Sequence, residues 1–354
     1  MIRRDLIKTL GIAAAASTVG GVTMSGAQAQ TGEGEQLSLA LEDYSTPWEN
    51  PDPDIPGRQD VVPVPEDYFM PGRFAGKRVI VTGCARGMGK LAAQRLAREG
   101  AKVIGVDILE ELGASTVDSI KEEGLDATFV AGDISKDEVC ERMVRVAVDT
   151  YGGVDAALNN AGVVDALRPD EPINYTEQRD RLWAPIHQAG DEHWHRVMEV
   201  NATGTFYSMR HELRQMLAQQ QGGAIVNVAS VAGLIGFGST PAYVASKHAV
   251  NGLTKTAAID YSAYGIRVNS VNMASTATPM LDRTIELLNQ RRATGYKDTG
   301  IGMYKSQPLL QFGHSKKRAS TMAEQVAVML FLLSPESANI TGATYATDGG
   351  FTTF

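Results

Sequence analysis

The sequence predicts an α/β fold, a doubly wound parallel sheet of about seven strands with helices on both faces, in a single domain. From Lys77 onward, short β-branched runs alternate with longer stretches of helical period, the pattern left by repeated strand-to-helix crossovers. A glycine-rich turn, Thr82-Gly83-Cys84-Ala85-Arg86-Gly87-Met88-Gly89, follows the first of these runs and opens the first helical stretch. Hydrophobic residues make up 43% of the 354-residue chain and charged residues 21%, enough apolar side chain for an ample core. No internal repeat or second domain is read from the pattern.

The elements follow in order. Arg3-Arg4-Asp5-Leu6-Ile7-Lys8 resembles the twin-arginine export motif, a weakly apolar run from Thr9 to Met24 follows, and Ala27-Gln28-Ala29 has the small-x-small pattern of a cleavage site. Residues 1–29 are therefore expected to be a signal peptide and the mature protein to be periplasmic or secreted, with an uncleaved membrane anchor as the alternative. Residues 30–73 contain seven prolines from Pro47 to Pro71 and read as an extended arm, because proline removes donors and blocks helices. Its Tyr44, Trp48, Tyr68 and Phe69 are candidates to pin it across a surface. The domain then spans 74–354, with strands expected at Arg78–Val81, Val103–Val106, Ala127–Val130, Ala156–Leu158, Ile225–Val228, Arg267–Val271 and Thr344–Ala346. Helices are expected between them, among them Lys90–Glu99 and Asp137–Thr150.

Bulk properties narrow the function. A net charge of −8 argues against broad attraction to nucleic acid or anionic lipid, which leaves a small-molecule partner. Cys84 and Cys140 form no C-x-x-C pair and have no histidine cluster beside them, so neither a disulfide framework nor a zinc site is expected. His193-Trp194-His195 does not suggest a metal site either, since adjacent helical positions point in different directions.

The glycine turn carries the first functional signal. Gly83 permits a tight turn, Gly87 lets the backbone approach a pyrophosphate, and Gly89 lets helix and strand pack closely. The N–H groups and positive dipole end of the helix then face the phosphates. Asp107 ends the second strand, Val103-Ile104-Gly105-Val106-Asp107. A carboxylate there accepts hydrogen bonds from the ribose hydroxyls of NAD and repels the extra phosphate of NADP. Arg86 argues mildly for NADP, being a basic residue inside the turn. NAD is the expected cofactor, with NADP the less favoured one.

With these residues the chain resembles the short-chain dehydrogenase/reductase family, a Rossmann-type fold, over about residues 74 to 352. The resemblance rests on the Thr-Gly-x-x-x-Gly-x-Gly turn, Asp133 after the third strand, and Asn159-Asn160-Ala161-Gly162 after the fourth. It extends to Asn201 in Val200-Asn201-Ala202-Thr203-Gly204, Ser230 after the fifth strand, and Tyr243 with Lys247 in a Tyr-x-x-x-Lys motif. It implies an NAD-dependent oxidoreductase that interconverts an alcohol, such as a secondary alcohol, sterol-like compound or polyol, and a carbonyl compound. It further implies that Asp133 and Ile134 lie by the adenine, and that Asn160, Ala161 and Gly162 line the cofactor cleft. Met88 and Arg86 border it within the turn. Ser230 is implied to orient the reacting oxygen, Lys247 to hold the nicotinamide ribose, and Asn201 to keep a water in a proton path from Lys247 to solvent. A homodimer or homotetramer is implied by the final strand and the turn Asp348-Gly349-Gly350.

The chemistry of Tyr243 and Lys247 also follows from spacing. Thr240 and Pro241 read as an N-cap and first turn, which places the two side chains one helical turn apart on one face. A phenol of ordinary pKa near 10 is a poor base at neutral pH; a neighbouring ammonium and a positive nicotinamide ring favour its phenolate. Tyr243 is then expected to exchange a proton with the reacting oxygen while hydride moves.

Two segments exceed the minimal pattern: Val163–Glu192 and Leu281–Lys317. Both lie where ligands bind in doubly wound folds, and the second is expected to be a lid whose Leu287, Leu288, Tyr296, Met303, Tyr304, Leu309, Leu310 and Phe312 touch an apolar substrate. Lys316, Lys317 and Arg318 read as a solvated charge run. Where relatives carry Pro-Gly after the sixth strand, this chain has Asn272-Met273-Ala274-Ser275-Thr276, followed by Thr278-Pro279-Met280; Thr278 is expected to touch the carboxamide or a phosphate. Free NAD is expected to be scarce outside the cytoplasm, so export makes cofactor supply a need. A dinucleotide loaded before export and retained, recycled by a second substrate or an external redox partner, meets that need. The competing reading is an exported dinucleotide-bound binding or scaffold protein without turnover.

Overall fold

A computed structural model describes residues 60–295, 309 and 318–353, and the calls on residues 1–59 and on Tyr296, Met303, Tyr304, Leu310, Phe312, Lys316 and Lys317 fall outside them. Seven strands form one sheet: β1 (Arg78–Thr82), β2 (Lys102–Asp107), β3 (Ala127–Ala131), β4 (Ala156–Asn159), β5 (Gly223–Val228), β6 (Ile266–Met273) and β7 (Thr344–Thr347). The order is β3-β2-β1-β4-β5-β6-β7, and neighbouring strands are parallel throughout. All seven expected strands are present, lengthened by a residue or two at their ends.

The helices are α1 (Gly87–Arg98), α2 (Glu110–Glu122), α3 (Asp137–Tyr151), α4 (Asp191–Met198), α5 (Thr205–Gln219), α6 (Pro241–Tyr261), α7 (Pro279–Ala293) and α8 (Met322–Leu333). A π-helical turn, Glu199–Gly204, joins α4 to α5. None of the helices among the described residues is long and apolar enough to cross a membrane.

The strands are apolar on both faces, as a parallel sheet covered by helices requires. Side chains alternate between two cores with the strand period of two. Val79 and Val81 join α1, α2 and α8 on one face through Leu96, Ile120 and Met329. Ile80 joins α3 and α5 on the other through Met143 and Met216. Cys84 and Cys140 are free and buried in these cores, and burial pushes both thiols up, Cys140 to about 12.

The end of the proline-rich arm that is described runs onto α1. The Met70 N–H bonds the Glu99 carboxylate at 3.0 Å, the Arg95 guanidinium lies 5.0 Å from the Tyr68 ring centre, and Phe74 is buried in the first core. The chain then enters β1.

What positions the site is the strand order. The chain runs β1, β2, β3 to one side and then returns to place β4 on the other side of β1, so the crossovers diverge at the carboxyl ends of β1 and β4. A crevice opens there in every sheet of this kind. Register brings Thr82 level with both Val106 and Asn159, so the glycine turn, Asp107 and the Asn160-Ala161-Gly162 segment all leave the sheet at one height.

Candidate active site

The glycine turn is built by its neighbours as much as by its own sequence. Gly83 and Gly87 have φ of +73° and +60°, the left-handed region that glycine adopts without cost. A methyl on Gly83 would stand 2.8 Å from Asn160 Nδ2, and one on Gly89 would run into the Gly83 carbonyl, so helix and turn are closer than any other residue permits. The Asn160 side chain closes the arrangement by donating to the carbonyls of Thr82 and Gly83 at 3.1 and 3.2 Å. Thr82 Oγ1 accepts from the N–H groups of Asn160 and Ala161. Asn160 thus acts mainly as a brace of the turn.

The start of α1 has no side-chain cap and no acidic residue in its first turn. Its positive end faces the crevice uncovered, which suits a phosphate group. Asp107 is aimed by two backbone donors: Ala85 N–H at 2.8 Å and Leu109 N–H at 2.9 Å. Arg86 sends its guanidinium to the Pro169 carbonyl at 3.2 Å, across to the first long segment. Asp133 accepts from the Ser135 N–H at 2.9 Å and from Arg196 at 2.7 Å. Burial alone would raise its pKa, but these two donors hold the carboxyl below its ordinary range. Ile134 is buried and packs against Gly204.

At the other end of the crevice the remaining groups converge. Tyr243 and Ser230 line the same end of the crevice, and the Lys247 ammonium lies 5.6 Å from the Tyr243 ring centre while donating to the Val228 carbonyl at 2.9 Å. A methyl on Gly162 would meet Asn201 Oδ1 at 3.2 Å and Lys247 Nζ at 3.4 Å, so the Asn201 and Lys247 side chains meet over Gly162. Asn201 sits in the π-helical turn, where the extra residue per turn aims it inward; functional sites often use such bulges. Its amide donates to the Val163 carbonyl at 2.9 Å and to Ser246 Oγ at 3.0 Å, and its Oδ1 accepts the Val163 N–H at 2.8 Å.

A single cleft of about 430 Å³ is lined at one end by Gly83, Arg86, Gly87, Met88, Asp107, Asp133 and Ile134, and at the other by Ser230, Tyr243, Lys247 and Thr278, with Asn160, Ala161 and Gly162 between. An uncapped helix start, an aimed carboxylate and an extended floor in one cleft fit a dinucleotide.

Three expectations change. Thr240 precedes α6 but does not cap it; its hydroxyl donates to the Phe237 carbonyl at 3.3 Å. Thr278 lines the cleft, yet its Oγ1 caps α7 by accepting the Leu281 N–H and donates to the Thr276 carbonyl. Burial pushes the Tyr243 phenol up rather than down, with the Ser230 hydrogen bond working against it. Burial also pulls Lys247 down to about 8, because its ammonium is held by a neutral carbonyl and, among the described residues, by no carboxylate that would offset desolvation.

Sequence reasoning missed Arg196, Trp183, Pro169, Phe237 and Met280, which also line the cleft. They come from elements far apart in the chain, and no local spacing marks them. The substituted loop after β6 lines it too, through Met273, Ala274, Ser275 and Thr276. Asn272 is turned away into a buried network with Asn251 and Ser270. Leu287 does not face the cleft: it is 1% exposed, in a small separate core. Arg318 is paired with Glu324 at 2.7 Å. His193 is fully buried with Nε2 3.3 Å from the Val164 carbonyl, and burial lowers its pKa.

Residues 77–287 match the family described as short chain dehydrogenase. A 3beta-hydroxysteroid dehydrogenase of Mediterraneibacter gnavus is 38% identical over 289 residues, covering 81% of this chain and 98% of its own. A cyclohexanol dehydrogenase of an Acinetobacter strain is 34% identical, covering 81% and 99%. The crystal structure of a carveol dehydrogenase from Mycobacterium avium in complex with NAD superposes with a TM-score of 0.66 at 27% identity, covering 80% of this chain and 100% of that one. With fold, cleft and relatives in agreement, the chain belongs to the short-chain dehydrogenase family and is an NAD(P)-dependent oxidoreductase acting on CH–OH donors.

Proposed function

We propose that the protein uses NAD to interconvert a secondary alcohol on an apolar ring and the matching ketone, with Tyr243 as general acid and base. The observation that carries this reading is the convergence of Tyr243, Ser230 and Lys247 at one end of a cleft whose other end is the glycine turn. Relatives whose names specify a hydroxysteroid and cyclohexanol supply the ring. Trp183, Phe237 and Met280 along the cleft supply apolar surface for it.

NAD held along the glycine turn and Asp107 would supply the hydride acceptor or donor. The Ser230 hydroxyl orients the reacting oxygen and stabilises charge that develops on it. In reduction, Tyr243 gives its proton to the carbonyl oxygen. In oxidation it takes the alcohol proton, and Lys247 refills or drains that proton through the Asn201 region. Two features support NAD over NADP. The Asp107 carboxylate is fixed by backbone donors where the extra phosphate would fall, and the Arg86 guanidinium is engaged by Pro169.

The test is Tyr243→Phe. The variant is expected to lose turnover of cyclohexanol by at least about a hundredfold while titration with NADH, read by its own fluorescence, gives an unchanged affinity. Retained turnover would exclude Tyr243 as the acid and base, and a wild type that binds NAD but turns over no alcohol would favour the scaffold reading.

A further inference from the structure

The extended segment before α4 and helix α7 are separate in sequence but are fastened together along the outer side of the cleft. The segment is closed on itself first. The Ala166 N–H bonds the Arg181 carbonyl at 2.9 Å, Arg181 pairs with Glu171 through both carboxylate oxygens at 2.7 and 2.9 Å, and Trp183 Nε1 donates to the Val164 carbonyl at 2.6 Å. Loops that carry their own core and closed ends behave as compact units.

Helix α7 then divides its faces. Met280, Leu281 and Thr284 line the cleft, while Arg283, Leu287 and Gln290 turn to the segment. Leu287 is buried with Leu167, Ile173, Tyr175 and Leu182. Gln290 clamps backbone, donating to the Ile173 carbonyl and accepting the Tyr175 N–H, both at 3.0 Å. Arg283 gives Nε and Nη2 to the two oxygens of Asp165 at 2.8 and 3.3 Å, and Nη1 to the Glu171 carbonyl at 2.8 Å. The Asp165 side chain is 3% exposed and that of Arg283 15%. Neither residue lines the cleft.

We propose that the Arg283–Asp165 pair is a latch that makes the 164–183 segment and α7 a single cap, and that the two are positioning residues for the alcohol. A bidentate guanidinium–carboxylate pair fixes direction as well as distance, and removing one partner leaves the other charge buried without its counter-ion, held only by backbone groups. The latch therefore sets where Trp183 and Pro169 on one side stand relative to Met280 and Thr284 on the other. Small misplacements of a substrate wall carry large kinetic costs. The Arg86 bond to Pro169 ties the same cap to the glycine turn. The positioning role rests on the function proposed above; the latch itself does not.

The test uses the full chain with Arg283→Met and Asp165→Asn, and Arg283→Lys as the conservative variant. Hydrogen exchange read by mass spectrometry is expected to rise in peptides from 164–183 and from 279–293 together, with NAD affinity unchanged. KM for cyclohexanol is expected to rise roughly tenfold or more with kcat changed less than about threefold, and Arg283→Lys is expected to recover part of that loss. Unchanged exchange in both segments, or in one alone, overturns the latch. Raised exchange with an unchanged KM, or a loss of NAD binding alongside it, overturns the positioning role. A wild type inactive on every ring alcohol tried sinks the function reading and with it the positioning role, and exchange still decides the latch.

Discussion

Glu212 on α5 shows how one buried group writes itself into the pH dependence of the whole fold. Its carboxyl is fully buried and accepts from Asn159 Nδ2 at 3.0 Å, and among the described residues its second oxygen has no hydrogen-bond partner. Burial pushes it from 4.5 to about 8, with the Asn159 bond opposing, so the folded protein keeps it protonated at neutral pH. The folded state then binds more protons than the unfolded chain between about pH 4.5 and 8, and stability from this group falls as pH rises through that window. Lys247 runs the other way and only above about 8, where the unfolded chain binds more protons and stability rises with pH. Glu212→Gln keeps the acceptor for Asn159 without the ionisation. Its melting temperature is expected to match or trail wild type at pH 5 and to exceed it at pH 8, by a margin on the order of a few kcal/mol of unfolding free energy. A difference independent of pH would show that Glu212 is not titrating in this range.

Elements differ in how plainly the sequence announced them. The strands were legible as short runs bounded by turns, most of them β-branched, although Ala156–Asn159 has no β-branched residue and Thr344–Thr347 is not buried. The glycine turn was legible from its spacing: Gly83 makes the tight turn at positive φ and Gly89 admits the close packing that the spacing implied, while Gly87 also adopts positive φ. Tyr243 and Lys247 were legible because a four-residue interval on α6 fixes their proximity. The cap was not. Arg283 and Asp165 lie 118 residues apart, and nothing local distinguishes that arginine from a solvated one. Leu287 was misread as a substrate contact for the same reason: helical period says that a face is buried, not against what. The ionisation of Tyr243 was also beyond spacing, since it depends on desolvation by the surrounding fold.

At the scale of the molecule, an enzyme fold follows a segment whose sequence resembles an export signal. The Arg3-Arg4 motif and Ala27-Gln28-Ala29 support the proposal that the mature chain begins near Gln30 and works outside the cytoplasm carrying its dinucleotide. Intact-mass and N-terminal peptide measurement of protein from the periplasmic fraction is expected to find that start; a chain found only in the cytoplasm with Met1 or Ile2 at its end would refute export. The cleft itself gives the most direct examination of the chemistry, because a group that moves as hydride carries its isotope with it. Cyclohexanol deuterated at the carbinol carbon, incubated with the purified protein and either NAD or NADP, is expected to place deuterium on the reduced nicotinamide, faster with NAD, and to place none in Tyr243→Phe. Product formation without deuterium on the nicotinamide, or equal transfer by the phenylalanine variant, would contradict the account.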